Sequence, residues 1–190
     1  MLRSLVMTSP SHSPYVTFEA FLQAEEKSET RHEWLDGIVY DMSRGTPEHA
    51  RLSAAIAGEL RAALKGECVV YGSEAMLYVA ETKFSTYADA IVVCGPLATS
   101  RVAKLGEAII NPTLLVEVLA ESTEKYDRGE KFAHYMRIGS LEQFLLVSQE
   151  ERRIEVFRRP ERGHWGFDVA KAGETLTLHG RPISVDAIYG

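Results

Sequence analysis

The stretch TLLVEVL at residues 113–119 is apolar on both of its alternating residue sets, with the single charged residue Glu117 inside it. A strand with one solvated face alternates apolar and polar side chains. A run apolar on both sets therefore predicts a strand in the middle of a sheet, covered by helices on either side. Immediately downstream, Ser122 or Thr123 is placed to cap a helix running through Lys131, Phe132, Tyr135 and Met136 to Gly139, and FLLVS at 144–148 reads as a second buried strand. Strand, helix, strand in this order is a crossover unit. The class is α/β, with a mixed central β-sheet flanked by helices.

Working outward, HEWLDGIVYDMS at 32–43 holds two apolar stretches joined by Asp36-Gly37, a dipeptide that tolerates the positive φ of a tight hairpin turn. Thr17 can cap a short helix through Phe18, Phe21 and Leu22. Thr46-Pro47-Glu48 supplies an N-cap, a proline at the first helical position and an acid in the first turn. Leu52, Ile56, Leu60 and Leu64 then recur every four residues, one buried stripe ending at Gly66. Strands are expected at 68–72, 75–80 and 87–94. RRIEVFRR, WGFDVA and ETLTL alternate and are broken by Gly and Pro, which predicts a small antiparallel C-terminal extension closed by a helical turn at 185–189.

At 190 residues the chain has room for one domain with its own core. Residues 15–190 are read as that domain, after a tail at 1–14 that carries Ser, Pro and His without periodicity. The composition, 45% hydrophobic and 25% charged, is that of a globular protein. There is no apolar run of the length a signal peptide or membrane span needs, so the expectation is a cytoplasmic protein with no membrane partner. A net charge of -6 argues against sequence-independent coating of DNA, which draws on cationic neutralisation of phosphates. Cys68 and Cys94 lie in the apolar runs CVVY and IVVC and are read as small buried hydrophobes rather than as a disulfide or zinc ligands.

Glu117 carries the most chemical information. A carboxylate in the centre of an apolar strand costs several kcal/mol unless something compensates it. An Arg or Lys partner would do so, and so would a metal. A second acid, Asp89, occurs in the same kind of setting in YADAIVVC. Two acids on neighbouring strands make an oxygen-ligand site for magnesium or manganese. Lys131, on the helix that follows the Glu117 strand, is placed to reach back over that strand's carboxyl end; the plain alternative is a solvated lysine on a helix face. Such a set suits phosphodiester hydrolysis, which needs a water made nucleophilic and stabilisation of charge on the phosphorus oxygens.

The succession HEWLDGIVYDMSRGTPEH, YADAIVVCGP, NPTLLVEVLAESTEKYDRGEKFAHY and LEQFLLVSQEERRIEVFRR resembles the Uma-two family of endonucleases, over nearly all of residues 15–190. That family is assigned to the restriction-endonuclease-like superfamily with the PD-(D/E)XK signature. The resemblance implies a restriction-endonuclease-like fold, a DNA substrate and cleavage dependent on Mg2+ or Mn2+. It matches Asp89 and Glu117 to the family's metal-binding acids, Lys131 to a catalytic lysine moved from the strand to the following helix, and Glu33 to an amino-terminal acid in the metal's outer shell or at a second ion. Two departures stand out: Ala88 replaces the superfamily's proline, and Leu119 stands where the strand lysine would be, so activity would rest on Lys131 or on Lys125.

Around this set, His49 at a helix start could touch a phosphate or the metal's outer shell, or be a capping or surface histidine. Tyr135 packs, or hydrogen-bonds Glu117 or Lys131. Arg128 pairs with an acid or touches the nucleic-acid backbone. Arg152, Arg153, Arg158, Arg159 and Arg162 interleave with glutamates and read as a charged edge rather than a DNA patch. Trp34 and Trp165 are read as core or interface aromatics. Enzymes of this fold often work as two-fold dimers, so a homodimer is expected. The rival reading is a catalytically inactive protein that keeps the nuclease fold and binds nucleic acid or a protein partner.

Overall fold

A computed structural model describes residues 15–101, 107–159 and 164–190. The expected tail at 1–14, and Arg162, lie outside those residues. Helix α1 (Phe18–Glu25) is capped by Thr17, whose hydroxyl accepts from the Ala20 amide, and it buries Phe21 and Leu22. Strands β1 (His32–Leu35) and β2 (Ile38–Asp41) pair across the Asp36-Gly37 turn, where φ is 41° and 94°, with Leu35 opposite Ile38. Helix α2 (Pro47–Ala63) starts at Thr46, whose Oγ1 accepts from the His49 amide at 3.1 Å and donates to Gln149 Oε1 at 2.8 Å. Thr46→Ala is expected to cost about 1 kcal/mol of stability in urea denaturation, the usual scale for a lost cap. Leu52, Ile56, Leu60 and Leu64 are fully buried along the stripe read from the sequence.

Strands β3 (Cys68–Gly72), β4 (Met76–Val79), β5 (Phe84–Tyr87) and β6 (Ala90–Cys94) form one long bent hairpin. Its outer arms β3 and β6 belong to one sheet and its inner arms β4 and β5 to another. Gly72 lies opposite Ala90 and Met76 opposite Tyr87, so three residues on one arm face only Ala88 and Asp89 on the other. This corrects the single strand expected at 87–94: the chain changes sheets at Ala88–Asp89, and the strand before the bend starts at Phe84. The cysteine reading is corrected as well. Cys68 and Cys94 are directly opposed in the β3–β6 register, 4.2 Å apart at Cα, and are joined in a disulfide. Their apolar neighbours place both in strands, but only the register makes them a pair.

Strands β7 (Thr99–Arg101) and β8 (Glu107–Ile109) extend the β1–β2–β4–β5 sheet, in the order β2-β1-β5-β4-β8-β7. Strand β9 (Leu114–Val118) is the buried strand expected at 113–119. Helix α3 (Glu124–Tyr126), a π turn (Asp127–Lys131) and helix α4 (Phe132–Tyr135) lead to β10 (Gln143–Val147), parallel to β9 with Glu117 opposite Leu146. Thr123 does not cap this helical run through a backbone amide; its hydroxyl donates to Asp127 Oδ2 at 2.7 Å instead. Strands β11 (Arg153–Arg158) and β12 (Gly166–Lys171) continue the central sheet, whose order is β12-β11-β10-β9-β6-β3. Only β13 (Thr175–Leu178) and β14 (Arg181–Ser184) form a separate antiparallel hairpin, before helix α5 (Val185–Tyr189).

The central sheet divides the core. Leu114, Val116 and Val118 of β9 pack with Leu52, Ile56, Leu60 and Ile188 on one side. Leu115 packs with Phe132, Tyr135 and Phe144 on the other, together with Leu77 and Phe84 of the second sheet. Period-two alternation puts Glu117 on the Leu115 face, under α4. Arg159 ties the end of that run down by donating to the carbonyls of Met136, Ile138 and Gly139. Among the described residues no helix is long and apolar enough to cross a membrane.

Candidate active site

Asp89 sits at the bend between the two sheets, its amide still bonded to the Val116 carbonyl of β9. Its carboxylate is fixed from three directions. The Val118 amide donates to Oδ2 at 2.7 Å, the Ser53 hydroxyl donates to Oδ1 at 3.1 Å, and His49 Nε2 lies 3.3 Å from Oδ2. His49 and Ser53 are four residues apart on α2 and so share one helix face. The hydrogen bond to Asp89 holds the His49 imidazole above its usual pKa, against the opposing effect of burial.

One residue along the neighbouring strand from the Asp89–Val116 contact, Glu117 is 4% exposed. Tyr135 donates to its Oε1 at 2.6 Å, and Lys131 Nζ lies 3.1 Å from the same oxygen. Burial pushes the Glu117 carboxyl up to about 8; Lys131 opposes this, and the negative charges of Asp127 and Asp89 add to it. Lys131 is itself buried, which disfavours its charge. Glu117, Glu33 and Asp127 nevertheless hold it well above the ordinary lysine value. Its Nζ is 3.5 Å from Glu33 Oε1, 3.8 Å from Asp127 Oδ1 and 3.3 Å from the Tyr87 carbonyl. Glu33 is locked in turn, by Thr86 at 2.5 Å and Tyr126 at 2.7 Å. The turn that carries both Asp127 and Lys131 is π-helical, a form concentrated at functional sites.

Asp89, Glu117, Lys131, Glu33 and His49 thus line one cleft, and the fully buried Tyr135 supports Glu117 from behind. Lys125 does not join them: it is exposed, while Lys131 is buried. Arg128 turns away, donating to both Glu155 oxygens and to Glu124. Of the basic cluster, Arg152 pairs with Asp186, Arg153 with Glu151 and Glu155, and Arg158 with Asp168, while Arg159 lies over Trp165. Asp127, Ser53, Thr86 and Tyr126 contribute to the site although the sequence assigns them no role. Ser53 and Asp127 read as ordinary polar residues of helical runs and Thr86 as an ordinary strand residue, and only the fold turns them toward Asp89, Lys131 and Glu33.

The cleft holds about 1090 Å3, and among the described residues nine carboxylates line it against four Lys and Arg side chains. Among the described residues no group of three or more His, Cys, Asp or Glu side chains is arranged to hold a metal. The available set is two hard carboxylates, Asp89 and Glu117, and Glu117 has one oxygen without a hydrogen bond among the described residues. This fits a cation such as magnesium, which takes one or two carboxylates and keeps several waters.

A family described as "Putative restriction endonuclease", Uma2, matches residues 18–185. The chain belongs to the Uma2 family. A protein described as uncharacterised, slr1290 of Synechocystis sp. strain PCC 6803, is 34% identical and aligns over 94% of this chain and 96% of its own length. A second uncharacterised Synechocystis protein, sll1609, is 25% identical over 79% of this chain and 84% of its own. The fold is similar to a crystal structure from Anabaena variabilis titled as a "putative nuclease belonging to DUF820". That likeness has a TM-score of 0.66 at 14% identity and covers 85% of this chain and 91% of that one. The restriction-endonuclease-like α/β architecture expected from the sequence therefore stands, and the stretches HEWLDG, YADA, LLVEV and DRGEK each contribute side chains to the cleft described above.

Proposed function

We propose that residues 15–190 form a metal-dependent endonuclease that hydrolyses DNA phosphodiesters, with Asp89 and Glu117 holding Mg2+ or Mn2+ and Lys131 beside the attacking water. The observation that carries this reading is the Lys131 ammonium 3.1 Å from Glu117, on a paired strand next to Asp89 in an open cleft. When bound, the divalent cation lowers the pKa of a coordinated water and neutralises charge on the phosphate. Lys131 remains protonated, so it acts as a donor: it orients the water and stabilises negative charge on the phosphorus oxygens. Tyr135 fixes the Glu117 oxygen that Lys131 faces, and Ser53 and the Val118 amide fix Asp89. Glu33, with both oxygens engaged, holds Lys131 in place. A two-fold homodimer goes with this proposal.

The acid-rich lining of the cleft favours a second reading, a protein that keeps the fold without turnover and binds a partner other than DNA. One experiment separates the two. Purified protein is incubated with supercoiled and single-stranded DNA in Mg2+, Mn2+ or chelator, beside Asp89→Ala. The nuclease reading expects cutting that needs the metal and is lost in the variant. A folded wild-type protein that cuts nothing in any metal, or an Asp89→Ala protein that cuts normally, would overturn it.

A further inference from the structure

His134 takes no part in the hydrogen bonds around Lys131, yet it stands three residues beyond it on the same helical run and lines the same cleft. Its ring stacks on Phe84 of β5, with centroids 4.4 Å apart and planes 24° from parallel. The ring is half-buried, and its Nδ1 is sealed from solvent without a hydrogen-bond partner among the described residues. Phenylalanine at this position would keep the stack and avoid a stranded polar atom, so packing alone does not account for a histidine.

Burial lowers the pKa of the imidazole, with Glu33 and Glu130 opposing, which keeps the ring neutral. A neutral ring carries one N–H. On Nδ1 it would be a donor shut away from every acceptor, so the proton belongs on Nε2, the nitrogen that is not sealed. His134 therefore offers the cleft a single uncharged donor. Of the arginines that line the cleft, Arg31 is engaged by Glu74 and Arg153 by Glu151, while Arg44 has no ion pair among the described residues.

We propose that His134 is a substrate-contacting residue, its Nε2–H donating a hydrogen bond to a phosphodiester oxygen of the nucleic-acid strand next to the phosphate that Lys131 serves. The inference rests on the nuclease reading above. A donor-only group selects an acceptor, and phosphodiester oxygens are the acceptors that a nucleic acid presents at every step along its backbone.

The test compares wild type with His134→Phe, which keeps the stack and removes the donor, and with His134→Gln, which keeps a donor. Binding of a fluorescent oligonucleotide, single-stranded and duplex, is measured with Ca2+ as the cation and with product formation checked on a gel. KM and melting temperature are measured in parallel. The expected result is roughly 10- to 100-fold weaker binding for His134→Phe, the scale of one hydrogen bond to a charged group. KM should rise, the melting temperature should be unchanged or higher, and His134→Gln should recover part of the affinity. A His134→Phe protein that binds as wild type, or loses affinity only together with thermal stability, overturns the proposal. If wild type binds the oligonucleotide but cuts it with no metal, the nuclease reading falls and the binding comparison still decides His134. If wild type neither binds nor cuts, both fall.

Discussion

Replacing Lys131 with methionine is expected to abolish cleavage and to destabilise the protein by about 3–5 kcal/mol, the scale for removing one partner of a buried ion pair. The side chain is 4% exposed and is the cation nearest to Glu117, Glu33 and Asp127. Without it these acids must take up protons or stay charged in a poor solvent. In the variant the folded-state pKa values of Glu117 and Asp127, already raised by burial, lie further above those of the unfolded chain. The folded form then binds more protons, and its stability falls as pH rises. The gap between wild type and Lys131→Met, measured by urea denaturation in metal-free buffer, should widen as pH rises through about 8, where wild type ionises Glu117 beside Lys131 and the variant has no cation to meet that charge. A gap that is the same at all pH values would show that the loss is packing and not charge.

The companion substitution, Glu117→Gln, is expected to act on stability in the opposite direction. With its folded pKa pushed to about 8 from a usual 4.5, Glu117 contributes most to stability below 4.5, and that contribution is lost as pH rises through 8. Glutamine mimics the neutral carboxyl and can still accept from Tyr135. Lys131 keeps Glu33 and Asp127 as counter-charges. The metal-free variant should therefore show a flatter stability profile between pH 5 and 8 and be at least as stable as wild type at pH 8. Its metal-dependent cleavage should fall roughly 100- to 1000-fold or more, the scale of losing a group that stabilises transition-state charge. A variant that keeps wild-type cleavage would remove Glu117 from the reaction.

These two residues also show what a sequence can and cannot disclose. Glu117 stands out because a lone acid in TLLVEVL demands compensation whatever the fold, and Lys131 follows because a crossover helix returns over the strand it leaves. Local chemistry marks the Asp36-Gly37 turn and the Thr46-Pro47 helix start just as directly. The division of 87–94 between two sheets leaves no such trace. Both halves are rich in strand-forming residues, and what separates them is which neighbour each one finds. The Cys68–Cys94 bond is hidden for the same reason, since pairing is a property of register. Asp127 and Ser53 are masked by their ordinariness, as polar residues in early helical turns.

The uneven hairpin arms around Asp89 carry a consequence for how this sequence can change. Ser73-Glu74-Ala75, with Glu74 fully at the surface, looks like the kind of polar turn where insertions and deletions accumulate harmlessly. Those three residues are instead the spacer that lets two ladders of different phase share one pair of strands. Losing one of them would force Asp89 or its neighbours into a regular pairing, and a one-residue slip sends every side chain of a strand to the opposite face. A gap in this segment of a relative would thus mark a chain whose aspartate no longer meets the Val118 amide, Ser53 and His49, however well the motif letters themselves survive.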